Sequence, residues 1–214
     1  MNTLVRKFVV GLLLLLGLPS AWAQDAEFKE GVQYQRLKNP VPTSTGDKLE
    51  VVEAFWYGCP HCYALESTLE EWLKHKPDNV EFVRIPAVLG RTWEPHAQAY
   101  YAAQELGVLD KIHKPLFDAI HAKKRLLANE QQLADFFAEQ GVDRDAFLKA
   151  YDSFAVTKVQ LPRSEKLIQS YGVQGVPAII VNGKYITNIT MAGSPQRVFE
   201  VVDYLLRQES DKGG

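Results

Sequence analysis

The spacing of apolar and polar positions changes period several times along the 214 residues. After a polar start, Val32-Gln33-Tyr34-Gln35-Arg36-Leu37 alternates well enough to predict a strand. Asn39 to Lys48 is a loop, marked by Pro40, Pro42 and Gly46. Leu49 to Tyr57 is rich in β-branched and aromatic residues and reads as a buried strand, broken by Gly58. From Cys59 the period becomes helical. Cys62, Leu65, Leu69, Trp72 and Leu73 share one face, while Glu66, Glu70, Glu71 and Lys74 avoid it. The turn Lys76-Pro77-Asp78-Asn79 leads into a short strand from Val80 to Ile85.

The region from about Ala87 to Tyr171 reads as helical almost throughout. One helix stops at Gly107, a C-cap residue. The next carries Ile112, Leu116, Phe117 and Ile120 at helical spacing. Asn129 as N-cap with Gln132 at N3 opens a third, which ends at Gly141. Asp143 caps a fourth, Pro162 kinks or separates two segments, and a further helix ends at Gly172. Strand signals then return. Ala178 to Val181, the pair Asn182-Gly183, and Tyr185-Ile186-Thr187 form a hairpin pattern. Ser194 and Pro195 open a last helix, Gln196 to Arg207, striped by Val198, Val201, Val202 and Leu205. The order is β-β-α-β, many helices, then β-β-α.

The first residues stand apart. Arg6 and Lys7 precede an apolar run from Phe8 to Leu18, followed by Pro19, Ser20 and Ala21-Trp22-Ala23. These are the three parts of a secretory signal peptide, and the run is short for a membrane span. Residues 1–23 are expected to be cleaved, leaving one domain over residues 24–214. Losing Arg6 and Lys7 takes 24 basic residues to 22 against 26 acidic, moving the net charge from −2 to −4. No basic excess points to nucleic acid. The mature chain is expected to be exported to a compartment that tolerates disulfides.

The chain has two cysteines, Cys59 and Cys62, separated by Pro60 and His61. A structural zinc site takes four ligands, and neither a second cysteine pair nor a compact histidine pair is present. Haem attachment needs histidine where Tyr63 stands. A structural disulfide closing so small a loop stabilises by only about 2 kcal/mol, before strain. A redox pair fits the context. Gly58 and Pro60 place Cys59 at a helix N-terminus, where unsatisfied N–H groups and the dipole favour a thiolate. Protonated His61 adds positive charge. Cys62 falls one turn in, on the buried face. Cys59 therefore exchanges with substrate and Cys62 resolves the mixed disulfide. No cofactor or metal is called for. A stabilised thiolate also makes the disulfide form a strong oxidant.

The segments "FWYGCPHCYALE" and "VQGVPAIIVNGKY" resemble the DsbA family of periplasmic thiol:disulfide oxidoreductases. The likeness extends over nearly the whole chain after the signal peptide. It implies an α/β, thioredoxin-like fold with a long helical insertion, about residues 87–171. It implies that the Cys59–Cys62 disulfide passes to unfolded, newly exported polypeptides, and that a quinone-linked membrane oxidase of the DsbB type restores it. A monomer is expected. The resemblance also makes Pro177 a cis proline beside the cysteine motif, with Val176 and Pro177 offering backbone to an extended substrate. Without it, Pro177 is an ordinary strand-start proline.

Glu53 has two readings, a surface position on an edge strand or a buried acid that relays the proton of the inner cysteine. The family carries the acid and often a lysine beside it. Here Arg84 stands at that place, always charged, so a two-residue relay is in doubt and Arg84 is expected to act as a counter-ion. Trp56, Tyr57 and Tyr63 are either core or an apolar surface around Cys59. The sequon at Asn188 carries no expectation, and Lys123-Lys124-Arg125 is expected on a solvated helix face. Two alternatives stand beside the oxidase. One is a reductase or isomerase of the same fold. The short stretch between Gln24 and the first loop argues against the separate dimerisation domain that such isomerases carry. The other is a non-catalytic chaperone-like or metal-binding module with an unperturbed Cys59.

Overall fold

The structure is a computed structural model and describes residues 28–213. The expected signal peptide and its cleavage after Ala23 lie outside the described residues. Five strands form one mixed sheet: β1 (Gln35–Arg36), β2 (Leu49–Phe55), β3 (Val80–Pro86), β4 (Ala178–Val181) and β5 (Tyr185–Thr187). Their spatial order is β1-β5-β4-β2-β3. The β2–β3 pair is parallel and the other pairings are antiparallel. A parallel pair needs a crossover, and α1 (Pro60–His75) supplies it.

Period-two alternation along β2 sends successive side chains to opposite faces. Val51 joins Leu65, Leu69 and Trp72 of α1 with Val198, Val201 and Val202 of the C-terminal helix. Val52 and Ala54 join Ile168, Tyr171 and Ile180 on the other face. Both faces of β2 are thus covered, and both its edges are paired. Glu53 therefore sits in an interior strand and not, as one reading had it, on an exposed edge. The strand itself is two residues shorter than its apolar run, ending at Phe55. The Val32–Leu37 alternation yields only the two-residue β1, because only Gln35 and Arg36 find partners, on β5.

Between β3 and β4 come α2 (Glu94–Glu105), α3 (Leu109–His121), α4 (Glu130–Glu139), α5 (Arg144–Tyr151) and α6 (Leu161–Ser170). The caps are those the sequence carries. Asn129 accepts from the N–H of Gln132, and Asp143 from that of Ala146. Pro162 does not break the chain. A widened helical segment, Ala155–Gln160, runs straight into α6, and Pro162 stands in the first turn of α6 at the seam between the two. Lys123, Lys124 and Arg125 are not on a helix face. They follow the end of α3, Lys124 adopts φ 56°, and Arg125 pairs with Glu139. These helices enclose an aromatic core that includes Phe117, Phe137 and Phe147 and reaches Phe55, Tyr57 and Cys62.

The hairpin turn is left-handed at both central residues, Asn182 (φ 50°) and Gly183 (φ 60°). Gly183 is bound by space as well as by dihedral angle. Its carbonyl accepts from the Val41 N–H at 2.8 Å, and a Cβ there would lie 1.9 Å from the Val41 oxygen. Gly183→Ala is expected to destabilise the protein by about 2 kcal/mol or more, read as a lower denaturant midpoint. An unchanged midpoint would mean that the turn does not pack on the Val41 loop. Beyond the hairpin, Asn188 of the sequon caps the short α7 (Ile189–Ala192). Ser194 caps α8 (Pro195–Gly213), which extends past the expected Arg207.

Candidate active site

Cys59 is the N-cap residue of α1, extended at φ −89° and ψ 117°, with Pro60 in the first turn. Proline is favoured there because its fixed φ suits a helix start and its absent N–H is not needed. No acidic residue occupies that turn, so nothing nearby on the helix offsets the dipole. Gly58 precedes it because Trp56 folds back so closely that a Cβ would lie 2.2 Å from the indole. Both cysteines are free thiols, so the structure describes the dithiol form.

The two thiols are held apart in character. Cys62 is fully buried, and Cys59 is 7% exposed. The Cys62 thiol donates to the Cys59 sulfur, the N–H groups of Cys62 and His61 face it, and the His61 charge adds to these. Together they outweigh burial and bring Cys59 down to about 6. Burial pushes Cys62 strongly the other way, and its hydrogen bond to Cys59 adds to that. At neutral pH Cys59 is a thiolate and Cys62 a thiol.

The Val176–Pro177 peptide bond is cis. Its loop lies against the motif, and the Cys59 thiol approaches the Val176 carbonyl at 3.4 Å. Val176, Pro177 and His61 line a groove of about 760 Å³ together with β1 and α7.

Behind the cysteines lies a buried polar network. Glu53 is 0% exposed and sits opposite Arg84 in the β2–β3 register. Arg84 donates Nε–H to Glu53 Oε2 at 3.2 Å and a terminal N–H to Glu66 Oε2 at 3.3 Å. Glu66 is 5% exposed, although its helical position had put it on the polar face of α1. Arg84 and His113, whose Nε2 lies 3.4 Å away, draw it inward. His113 Nδ1 shares a 2.7 Å hydrogen bond with the Tyr57 hydroxyl. Burial, reinforced by the Glu66 charge, pushes Glu53 up to about 8 despite Arg84. Its Oε1 has no hydrogen-bond partner among the described residues. Desolvation by burial pushes His113 down.

The sequence reading missed Glu66, His113 and the buried Glu50, whose carboxylate takes the N–H and hydroxyl of Ser44. No spacing rule marks these positions. The three flanking aromatics divide. Tyr57 is core at 1% exposure, and its carbonyl accepts from His121. Trp56 stacks on Trp93 with ring centroids 4.3 Å apart, and Tyr63 stacks on His121, both half-buried beside the motif.

Residues 50–205 match the family described as the DSBA-like thioredoxin domain. The thiol:disulfide interchange protein DsbA of Pseudomonas aeruginosa is 41% identical over 209 residues, covering 98% of this chain and 97% of the relative. The protein of the same name from Azotobacter vinelandii is 42% identical over 211 residues, covering 96% and 98%. Among solved structures, Pseudomonas aeruginosa DsbA superposes with a TM-score of 0.83 at 43% identity, covering 87% of this chain and 96% of that one. The oxidoreductase DsbA from Xylella fastidiosa gives 0.80 at 32% identity, over 86% and 98%.

Proposed function

The chain belongs to the DSBA-like thioredoxin-domain family, and from that membership we propose how it works as a thiol:disulfide oxidoreductase: the Cys59–Cys62 disulfide is the group that it donates to newly exported polypeptides. The observation that carries this reading is the opposed state of the two thiols, Cys59 lowered to about 6 and Cys62 raised.

A substrate thiolate attacks the Cys59 sulfur. The Cys59–Cys62 bond breaks, and its electron pair goes to Cys62. A buried thiolate is a poor leaving group, so Cys62 must gain a proton as it leaves. Glu53, neutral up to about 8 and enclosed behind the helix, is the acid that supplies it. A second substrate thiolate then attacks the substrate sulfur of the mixed disulfide. Cys59 departs as a stable thiolate, and the substrate carries away the new disulfide. Two electrons have moved from substrate to the protein pair. Reoxidation reverses the proton path, with Glu53 accepting from Cys62.

Lowering Cys59 from 9.0 to about 6 favours the reduced pair at pH 7 by roughly tenfold. That is about 1.4 kcal/mol, or about 30 mV towards oxidant. Val176 and Pro177 hold an extended substrate in the groove. The reduced pair is reoxidised to the disulfide by a quinone-linked membrane oxidase of the DsbB type, which takes up the two electrons. The protein acts in the periplasm and as a monomer. Among the described residues no helix is long and apolar enough to cross a membrane.

The oxidised protein is expected to reoxidise a reduced, unfolded test protein within a few turnovers, and its thiolate absorbance to titrate near 6. Titration near the free-thiol value of about 8.5 would refute the oxidant reading. Glu53→Gln is expected to slow mixed-disulfide formation by about tenfold or more, while Glu53→Asp recovers part of the loss. Equal single-turnover rates for wild type and Glu53→Gln would remove Glu53 from the proton path.

A further inference from the structure

The groove beside Cys59 carries charge of one sign. Arg36, Lys38 and His61 line it, and among the described residues no aspartate or glutamate does. The chain as a whole leans the other way, with 26 acidic residues against 24 basic. The two fixed cations differ in how far they are committed. Arg36 lies 3.5 Å from Glu30 and donates to the Tyr185 hydroxyl at 3.2 Å, so its charge is partly answered. Lys38 is exposed, one residue beyond the sheet-edge position of Leu37, and makes no ion pair or side-chain hydrogen bond among the described residues. Val176, Ile189 and Met191 supply apolar lining on the same groove, which suits an extended chain laid across it.

We propose that this groove selects cysteine-containing segments that carry carboxylates near the cysteine, with Lys38 as the main specificity-determining residue and Arg36 as its support. The proposal rests on the reading that substrate polypeptide exchanges with Cys59 in this groove. The physical basis is charge complementarity. An unpaired ammonium at the rim of a partly apolar groove accelerates encounter with an acidic segment and slows encounter with a basic one. Because Lys38 is exposed, the effect is screened by salt.

The test uses the oxidised full chain and three short cysteine peptides that differ only in having glutamate, glutamine or lysine around the cysteine. Second-order rates of peptide oxidation are measured for wild type, Lys38→Gln and Lys38→Glu. Flanking charge alters the peptide's own thiol, so each peptide is compared across proteins, where that influence cancels. Lys38→Glu is expected to slow the glutamate peptide at least about threefold relative to the glutamine peptide and to speed the lysine peptide, with Lys38→Gln between. In about 1 M salt the differences should collapse. Equal effects of Lys38→Glu on all three peptides would overturn the charge preference while leaving disulfide donation intact. Failure of wild type to oxidise any of the three would instead overturn the underlying function, and the preference with it.

Discussion

Cys59→Ser is expected to reduce disulfide transfer to background with the fold intact. Serine cannot form the disulfide, and the remaining thiol, Cys62, is fully buried and strongly disfavoured as a thiolate. Cys62→Ser has a different signature. Cys59 stays at the helix N-terminus and still attacks a disulfide, but no second thiol stands one turn away to release the adduct. That variant should accumulate a mixed disulfide on Cys59, visible by mass as an uncleared adduct after exposure to a disulfide-bearing peptide. A Cys62→Ala variant, which has no donor there, loses some of the stabilisation of its Cys59 thiolate, since the hydrogen bond from Cys62 is the largest contribution to lowering Cys59. Its thiolate titration should therefore move upward from about 6. Turnover by Cys62→Ser at the wild-type rate would exclude Cys62 as the resolving thiol. Transfer by Cys59→Ser would exclude Cys59 as the exchanging one.

The second large effect concerns stability. Arg84 bridges the Glu66 carboxylate and the carboxyl group of Glu53, neither of which has much access to water. Removing one member of a buried ion pair typically costs about 3–5 kcal/mol, because the partner is left charged and unanswered. Arg84→Met keeps most of the volume and removes the charge, so a loss in that range is expected in denaturant unfolding. Adding Glu66→Gln to Arg84→Met should recover a substantial part of it. The pH dependence follows from Glu53. Its folded value of about 8 lies above its ordinary 4.5, so its contribution is fully present below 4.5 and is lost as pH rises through 8. Without Arg84, Glu53 loses the nearby charge and hydrogen bond that hold it down, and it rises further. The variant should lie closest to wild type near pH 5 and fall furthest behind near pH 8. A uniform deficit of under about 1 kcal/mol at all pH values would reduce Arg84 to a solvated surface cation.

Local chemistry explains which parts of this protein were legible beforehand. Helix starts were readable where a short polar side chain answers its own backbone, as at Asn129, Asp143 and Ser194. The hairpin was readable because Asn182 and Gly183 tolerate left-handed backbone angles. Elements that need a distant partner were not. The alternation from Val32 to Leu37 predicts six strand residues, and β5 pairs with only two of them. The apolar run through Tyr57 overstates β2, since Trp56 turns aside to stack on Trp93. Glu66 was misplaced for a similar reason. Helical periodicity assigns a carboxylate outward, and only Arg84 and His113, from other elements, give it reason to turn in.

The sequence by itself determined the chemistry of exchange. Two cysteines two residues apart at a helix start, with proline and histidine between them, set which sulfur is activated. The activation of Cys59 follows from groups within one turn, whereas the withholding of Cys62 rests on its burial beneath the helical insertion. Tertiary structure decided the proposed proton path and the proposed binding surface. Glu53 counts as an acid only because β2 lies inside the sheet, where burial raises it and Arg84 across the strand pair limits the rise. The groove exists only because the loop at Pro177, β1 and α7 meet beside His61, though over a hundred residues separate Pro177 and α7 from β1 and His61 in the chain. Burial and charge pairing depend on neighbours in space, and those are set by the packing of the whole chain.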